Sequence, residues 1–408
     1  MWGGEIRIGT PPAVVRGAVD GRGLCLLPGF VDLHVHMREP GSEDAETIAT
    51  ACRAALAGGV TRLCCMPNTT PPLDDPEIVL QVREAARKAG GPAVHPVGAI
   101  TIGREGKSLA PMDLLDAAGC VAFSDDGDFV QNDRLMRQAM SKARSLGRPI
   151  MAHCENTHGI SRGCVHEGET ARRLGIPEMP SLDEVDAVRR DVVEALRTNA
   201  HLHIQHVSTA GALEIIREGK RRGGRITAEV TPHHLALTEE DIRKDDAVFK
   251  MNPPIRTRED RDALRQALKE GLLDCIATDH APHAAARKVG GLRGGAFGVI
   301  GLETLFPVSF TTMVNSGILT LPELIDRMVI RPCRLLGMQE RRIDANFPAD
   351  VVLADLDDEF TIEPERFESR SRNCPFSGLR MRGRVLATWV EGRLEWCHPE
   401  FTERITLS

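Results

Sequence analysis

From Val60 to Asp279 the chain repeats one phrase: a short apolar or β-branched run ends in polar residues, and a helical pattern follows. Val60–Met66 precedes the helical stretch Glu77–Ala89, and Cys120–Ser124 precedes Asn132–Leu146. Pro149–His153, Leu202–Val207, Arg225–Val230 and Cys275–Asp279 continue the series. Parallel neighbours need long connections that return to the same end of the sheet. Such alternation therefore calls for parallel strands joined by helices. Six runs in one series fit a closed barrel better than an open sheet. The expected class is α/β, a TIM (β/α)8 barrel over residues 29–340. The flanks differ. Glu5–Ile8 and Leu24–Leu27 read as β, as do Asp350–Ala354 and Val385–Val390 before the turn Glu391-Gly392-Arg393. Residues 1–28 and 341–408 are expected to form one small domain beside the barrel.

Composition narrows the function. The 408 residues carry a net charge of −7, which argues against nonspecific nucleic-acid binding, since that needs a basic field. No apolar run is long enough to span a membrane. The opening Met1-Trp2-Gly3-Gly4-Glu5 lacks the basic and apolar regions of a secretory leader. The 11 cysteines are scattered, with no CxxC, and this suits a reduced, cytoplasmic enzyme. Tyrosine is absent, so no mechanism here uses a phenol.

Catalytic groups of a barrel sit at the C-terminal ends of its strands. His34 and His36 follow Val31-Asp32-Leu33, and residues two apart on a strand face one side, so both imidazoles reach a single ion. His153, His206 and Asp279 end later runs. Any one of them alone reads as an ordinary hydrogen-bonded residue. Together they form a catalytic zinc inventory: several imidazoles and a carboxylate around a position left open.

The surrounding strings are Pro28-Gly29-Phe30-Val31-Asp32-Leu33-His34-Val35-His36-Met37-Arg38-Glu39-Pro40-Gly41, Met66-Pro67-Asn68-Thr69, Phe123-Ser124-Asp125-Asp126-Gly127, Ala152-His153-Cys154-Glu155, His206-Val207-Ser208-Thr209, Lys250-Met251-Asn252-Pro253-Pro254 and Ala277-Thr278-Asp279-His280-Ala281-Pro282-His283. By these the chain resembles the amidohydrolase superfamily, and within it the longer bacterial dihydroorotases, from about Leu26 to Trp396. The resemblance implies a distorted TIM barrel with a small β-sandwich formed by both termini. Only two strand-like pieces precede His34, so that sandwich is expected to be shortened at its start. One or two zinc ions per subunit are implied, with His34, His36, Asp126 and Asp279 on one and Asp126, His153 and His206 on the second. Many relatives bridge their metals with a carboxylated lysine. The matching strand here, Ser124-Asp125-Asp126-Gly127, has no lysine, and the resemblance places Asp126 at the bridge. Lys107 lies in a loop-like stretch and is a poor substitute, while Asp125 reads as a capping or supporting residue.

The implied reaction is the reversible cyclisation of N-carbamoyl-L-aspartate to (S)-dihydroorotate in de novo pyrimidine biosynthesis, with Asp279 as the catalytic proton shuttle. His36, Arg38, Asn68, Asn252 and His283, with the backbone of Phe297 and Gly298, match the family's substrate-binding positions. Arg38 offers a planar fork suited to a carboxylate. The glycine-rich stretch between His283 and Gly298 reads as a mobile active-site loop; a phosphate cradle would need a following Gly-Lys-Ser/Thr. Cys154 reads as packing, and His233 and His234 as structural. Two rivals stand beside this reading. One is a cyclic amidohydrolase for hydantoins, dihydropyrimidines or allantoin, disfavoured by the missing tyrosine and by Arg38. The other is a non-catalytic scaffold for aspartate transcarbamoylase, disfavoured by the intact ligand set. The expected partners are the small-molecule substrate, a second copy meeting at an exposed sheet edge, and aspartate transcarbamoylase.

Overall fold

The computed structural model describes residues 21–156, 163–341, 343 and 350–404. Its strands, in chain order, are β1 (Cys25–Pro28), β2 (Phe30–Val35), β3 (Val60–Cys65), β4 (Ala93–Ala99), β5 (Ala122–Ser124), β6 (Ile150–Ala152), β7 (Val165–His166), β8 (Glu178–Met179), β9 (Leu202–Ile204), β10 (Ile226–Val230), β11 (Cys275–Ile276), β12 (Val351–Thr361), β13 (Arg380–Val390) and β14 (Arg393–Cys397). Eight of them form a parallel sheet in the order β11-β10-β9-β6-β5-β4-β3-β2. The segment after β11 closes it onto β2: His36 N donates to His280 O (2.9 Å), and His280 N donates to His34 O (3.3 Å). This is the TIM barrel that the alternation calls for. β4 is the strand it did not announce, because Pro96 and Gly98 interrupt its run.

The strands are short at the end that matters. β9 stops at Ile204 and β11 at Ile276, well before His206 and Asp279. Both residues turn to positive φ, 32° and 48°, and leave the extended conformation. Inside the barrel Val31, Leu33, Cys64, Met66, Val97 and Met151 pack in one buried cluster. Outside it the helices present apolar faces. Asp133–Leu146 buries Leu135, Met136, Ala139, Met140 and Ala143, the spacing of one helical face. Its Asn132 side chain caps the first turn, and Gly147 ends it at φ 71°. Among the described residues no helix is long and apolar enough to cross a membrane.

Both flanks meet in an antiparallel sheet, β1-β12-β13-β14. β1 pairs with β12 from Cys25↔Ala354 to Pro28↔Val351. The β13–β14 hairpin turns at Glu391 and Gly392, both at positive φ (49° and 78°), the geometry that matches strand twist in tight hairpins. Glu5–Ile8 lies outside the described residues. The connection from β12 to β13 runs back across the barrel. Ser371 Oγ donates to Ala45 O (2.7 Å), and Ser369, Ser371 and Asn373 are buried there.

Candidate active site

Strand ends bring the expected ligands into one buried cluster. His34 lies on β2 and His36 just follows it, Asp126 follows β5, His153 follows β6, His206 follows β9 and Asp279 follows β11. Asp126 lies at the centre. Its Oδ1 is 3.2 Å from His34 Nε2, 3.6 Å from His153 Nδ1 and 3.7 Å from His206 Nε2, and its Oδ2 is 3.3 Å from His36 Nε2. Asp279 Oδ1 is 3.0 Å from His36 Nε2 and 3.5 Å from His34 Nε2. Asp32 holds the Asp279 turn against β2, accepting from His34 N (3.1 Å) and Thr278 N (3.0 Å).

The donor set fits a cation. His34–His36–Asp126, Asp126–His153–His206 and His34–His206–Asp279 each place three nitrogen or oxygen donors within 4.8 Å of one another. His34 Nε2 and Asp126 Oδ1 are buried yet lack a hydrogen-bond partner, which is costly unless something else satisfies them. Imidazole and carboxylate are the ligands zinc takes in catalytic sites. Burial alone would raise the Asp126 pKa, but the surrounding imidazoles hold it well below the usual range. Burial likewise opposes charge on His153, but Asp126 and Glu155 outweigh it and push the pKa up to about 9.

A cavity of about 220 Å³ opens above this cluster. Arg38, Asn68, Asn252, His283, Phe297 and Gly298 all line it. Burial lowers the Arg38 pKa to about 10, and Arg38 Nε donates to Pro282 O (3.0 Å). Burial also lowers His283, to about 3, and its Nε2 lies 2.6 Å from Phe297 O. Asn68 and Asn252 do more than line the cavity. Asn68 Oδ1 is 2.7 Å from His36 Nδ1, and Asn252 Nδ2 donates to Glu155 Oε2 (2.9 Å) and lies 3.2 Å from His153 Nε2.

Three residues that sequence reasoning did not single out complete the surroundings. Glu229 on β10 reaches His34 Nδ1 at 2.7 Å and His203 Nε2 at 3.0 Å. Glu155 sits 3.3 Å from His153 Nε2. Arg104 lines the cavity and donates to Asp126 O (2.9 Å). Glu155 carries a readable signal, an acid just past an apolar run; Glu229, inside β10, and Arg104 carry none. The minor candidates fall where expected. Asp125 accepts from Ile100 N (2.8 Å), Thr101 N (3.0 Å) and the Thr101 hydroxyl. Cys154 Sγ points to Asp191 (3.4 Å), its thiol raised well above the ordinary range by burial. Lys107 is exposed and pairs with Glu105. His234 bonds Thr231 and Pro253 O, and neither it nor His233 joins a ligand cluster among the described residues. The glycine-rich stretch forms two short helical turns, Ala285–Lys288 and Gly291–Gly294.

Comparison with known proteins agrees with the geometry. Residues 23–212 match the family described as Dihydro-orotase-like. A dihydroorotase of Bacillus caldolyticus is 45% identical over 378 residues, covering 93% of this chain and 88% of the relative. One from Anaeromyxobacter dehalogenans (strain 2CP-1 / ATCC BAA-258) is 47% identical over 379 residues, covering 92% and 87%. Among solved structures, an L-hydantoinase (dihydropyrimidinase) from Arthrobacter aurescens superposes with a TM-score of 0.82 at 24% identity, covering 92% of this chain and 86% of that one. At that identity the likeness speaks for the barrel fold alone. Sequence likeness over nearly the whole length, on a barrel with these strand-end histidines and aspartates, makes this chain a member of the dihydroorotase family.

Proposed function

We propose that the protein is a zinc-dependent dihydroorotase, interconverting N-carbamoyl-L-aspartate and (S)-dihydroorotate in the cytoplasm for pyrimidine biosynthesis. The observation that carries this reading is one small cavity lined by both the ligand cluster and the half-buried pair Arg38 and His283. His34, His36, Asp126 and Asp279 would hold one ion, and Asp126, His153 and His206 a second. Bound zinc supplies a Lewis acid that polarises an amide carbonyl and makes water acidic near neutral pH. Asp279 takes the proton of the attacking water and delivers it to the leaving amide nitrogen. Arg38 pairs with the free carboxylate of the ring, and Asn68, Asn252, His283 and the Phe297–Gly298 backbone seat its amide groups. The 11 unpaired thiols support a reducing compartment. The barrel over 29–340 and the joined flanks 1–28 and 341–408 are the proposed domains.

Steady-state assay of the purified protein with dihydroorotate and with hydantoin, alongside metal analysis, tests the assignment. Dihydroorotate should open, hydantoin should not, and chelation should abolish activity until zinc is restored. Hydantoin turned over as well as dihydroorotate would sink the substrate assignment. Ring closure turns a dianion into a monoanion and takes up a proton, so each pH unit downward should favour dihydroorotate about tenfold at equilibrium. Asp126 in the bridging role requires no carbon dioxide. A strict bicarbonate requirement would overturn that role.

A further inference from the structure

One side chain from outside the barrel ties together the two segments that face the ligand cluster across the cavity. Asn373, in the connection between β12 and β13, donates through Nδ2 to Ala281 O (3.0 Å) and Gly298 O (3.0 Å). Its Oδ1 accepts from His283 N (3.2 Å), and its carbonyl accepts from Ile300 N (3.1 Å). Two carbonyls need donors and one N–H needs an acceptor; a short primary amide offers both at once. The spacing it sets is tight. Gly298 has φ +128°, and a Cβ there would meet the Ala281 Cβ at 2.6 Å and His283 Nε2 at 3.1 Å. Lys288 holds the same turn from the other side, with Nζ donating to Gly298 O (2.9 Å), Ala296 O (2.8 Å) and Lys250 O (3.2 Å).

We propose that Asn373 is a positioning residue for substrate recognition, lent to the barrel by the C-terminal sheet. It fixes the distance between His283 and the Phe297–Gly298 turn, and so the width of the slot that receives the carboxylate-bearing ring. The inference rests on the proposed role of those residues as substrate contacts. None of the hydrogen bonds described for Asn373 reaches a ligand of the metal cluster. Its loss should therefore weaken binding rather than chemistry.

The test compares Asn373→Asp with the native enzyme, with His283→Ala as reference. Aspartate keeps the acceptor for His283 N but turns a carboxylate oxygen toward two carbonyls. KM for dihydroorotate should rise at least about tenfold, as expected when buried carbonyls lose their donors. Turnover should stay within about threefold, with full zinc content. A native KM in Asn373→Asp overturns the proposal, whatever happens to the melting temperature, because a merely structural role lowers stability and leaves KM alone. If that variant yields no folded protein, Lys288→Met, at a half-buried position on an otherwise exposed turn, removes the opposing hold and must raise KM likewise; a native KM there overturns the proposal too. His283→Ala separates the two failures. A native KM in His283→Ala removes the site reading itself, whereas a raised KM there beside a native KM in Asn373→Asp removes the Asn373 role alone.

Discussion

Glu229→Leu tests whether the carboxylate beneath His34 governs how that imidazole meets a metal. Glu229 is fully buried, 2.7 Å from His34 Nδ1 and 3.0 Å from His203 Nε2. Burial works against its charge, but bonds to the two imidazoles bring its pKa down to about 2. An anionic acceptor at this place holds a proton on His34 Nδ1, so that Nε2, which faces Asp126 and Asp279, is the nitrogen a bound metal would take. Leucine has a similar volume and accepts neither bond. A hydrogen bond to a charged group contributes about 1.5–3 kcal/mol, and the His34 bond is the one a metal would feel. Loss of such a support costs about 10–100-fold in metal affinity, or about 1.4–2.7 kcal/mol, so the two scales agree. Zinc retention against graded chelators, with turnover measured in parallel and a thermal melt to confirm folding, reads the effect. We expect retention to weaken by about 10–100-fold and excess zinc to restore much of the turnover. Glu229→Gln, which can accept from His34 without the charge, should fall between. Folded Glu229→Leu protein with native zinc affinity would refute the argument.

Other expectations follow from the same geometry. Asp279→Asn keeps the shape and loses the base, so turnover should fall at least about 10²-fold with the fold unchanged; near-normal turnover at full zinc would exclude the proton-shuttle role. Arg38→Lys keeps the charge but not the fork, and should raise KM for dihydroorotate. An unaltered KM would show that the guanidinium does not read the carboxylate. Glu303 is half-buried, and desolvation, with Glu368 and Glu46 nearby, raises its pKa from 4.5 to about 8. The folded chain then keeps a proton that the unfolded chain releases. This contribution to stability should decline as pH rises from about 4.5 and be lost by about 8. Glu303→Gln should flatten that decline in thermal melts, and an identical slope in both proteins would contradict it.

The barrel was legible because its strands are buried on both faces and so read as continuous apolar runs. β4 was not, since His95, Pro96 and Gly98 break the pattern that pairing with β3 and β5 still enforces. The metal-ligand candidates were legible because they stand at the ends of such runs. Glu229 hid inside one: its partners His34 and His203 are far off in sequence, and only the ring of strands brings them together. Arg104 reaches the cavity from a short helical turn, and Asn373 reaches the cavity wall at His283 from the connection between β12 and β13; no local pattern encodes a contact across such separations. The strand ends were overestimated at His206 and Asp279, because positive φ at those residues depends on what they face.

Those backbone angles set stability against activity. Arg38, His206 and Asp279 lie at φ 63°, 32° and 48°, where an L-residue with a side chain carries about 1–2 kcal/mol of strain. Glycine at any of the three would relax the chain, and at Asp279 it would also remove a carboxylate buried beside Asp126. A library selected only for thermal resistance should therefore accumulate glycine at these positions and drift toward hardier barrels with no catalytic use. Any stabilisation programme for this fold has to hold these three positions fixed and look for its gains elsewhere.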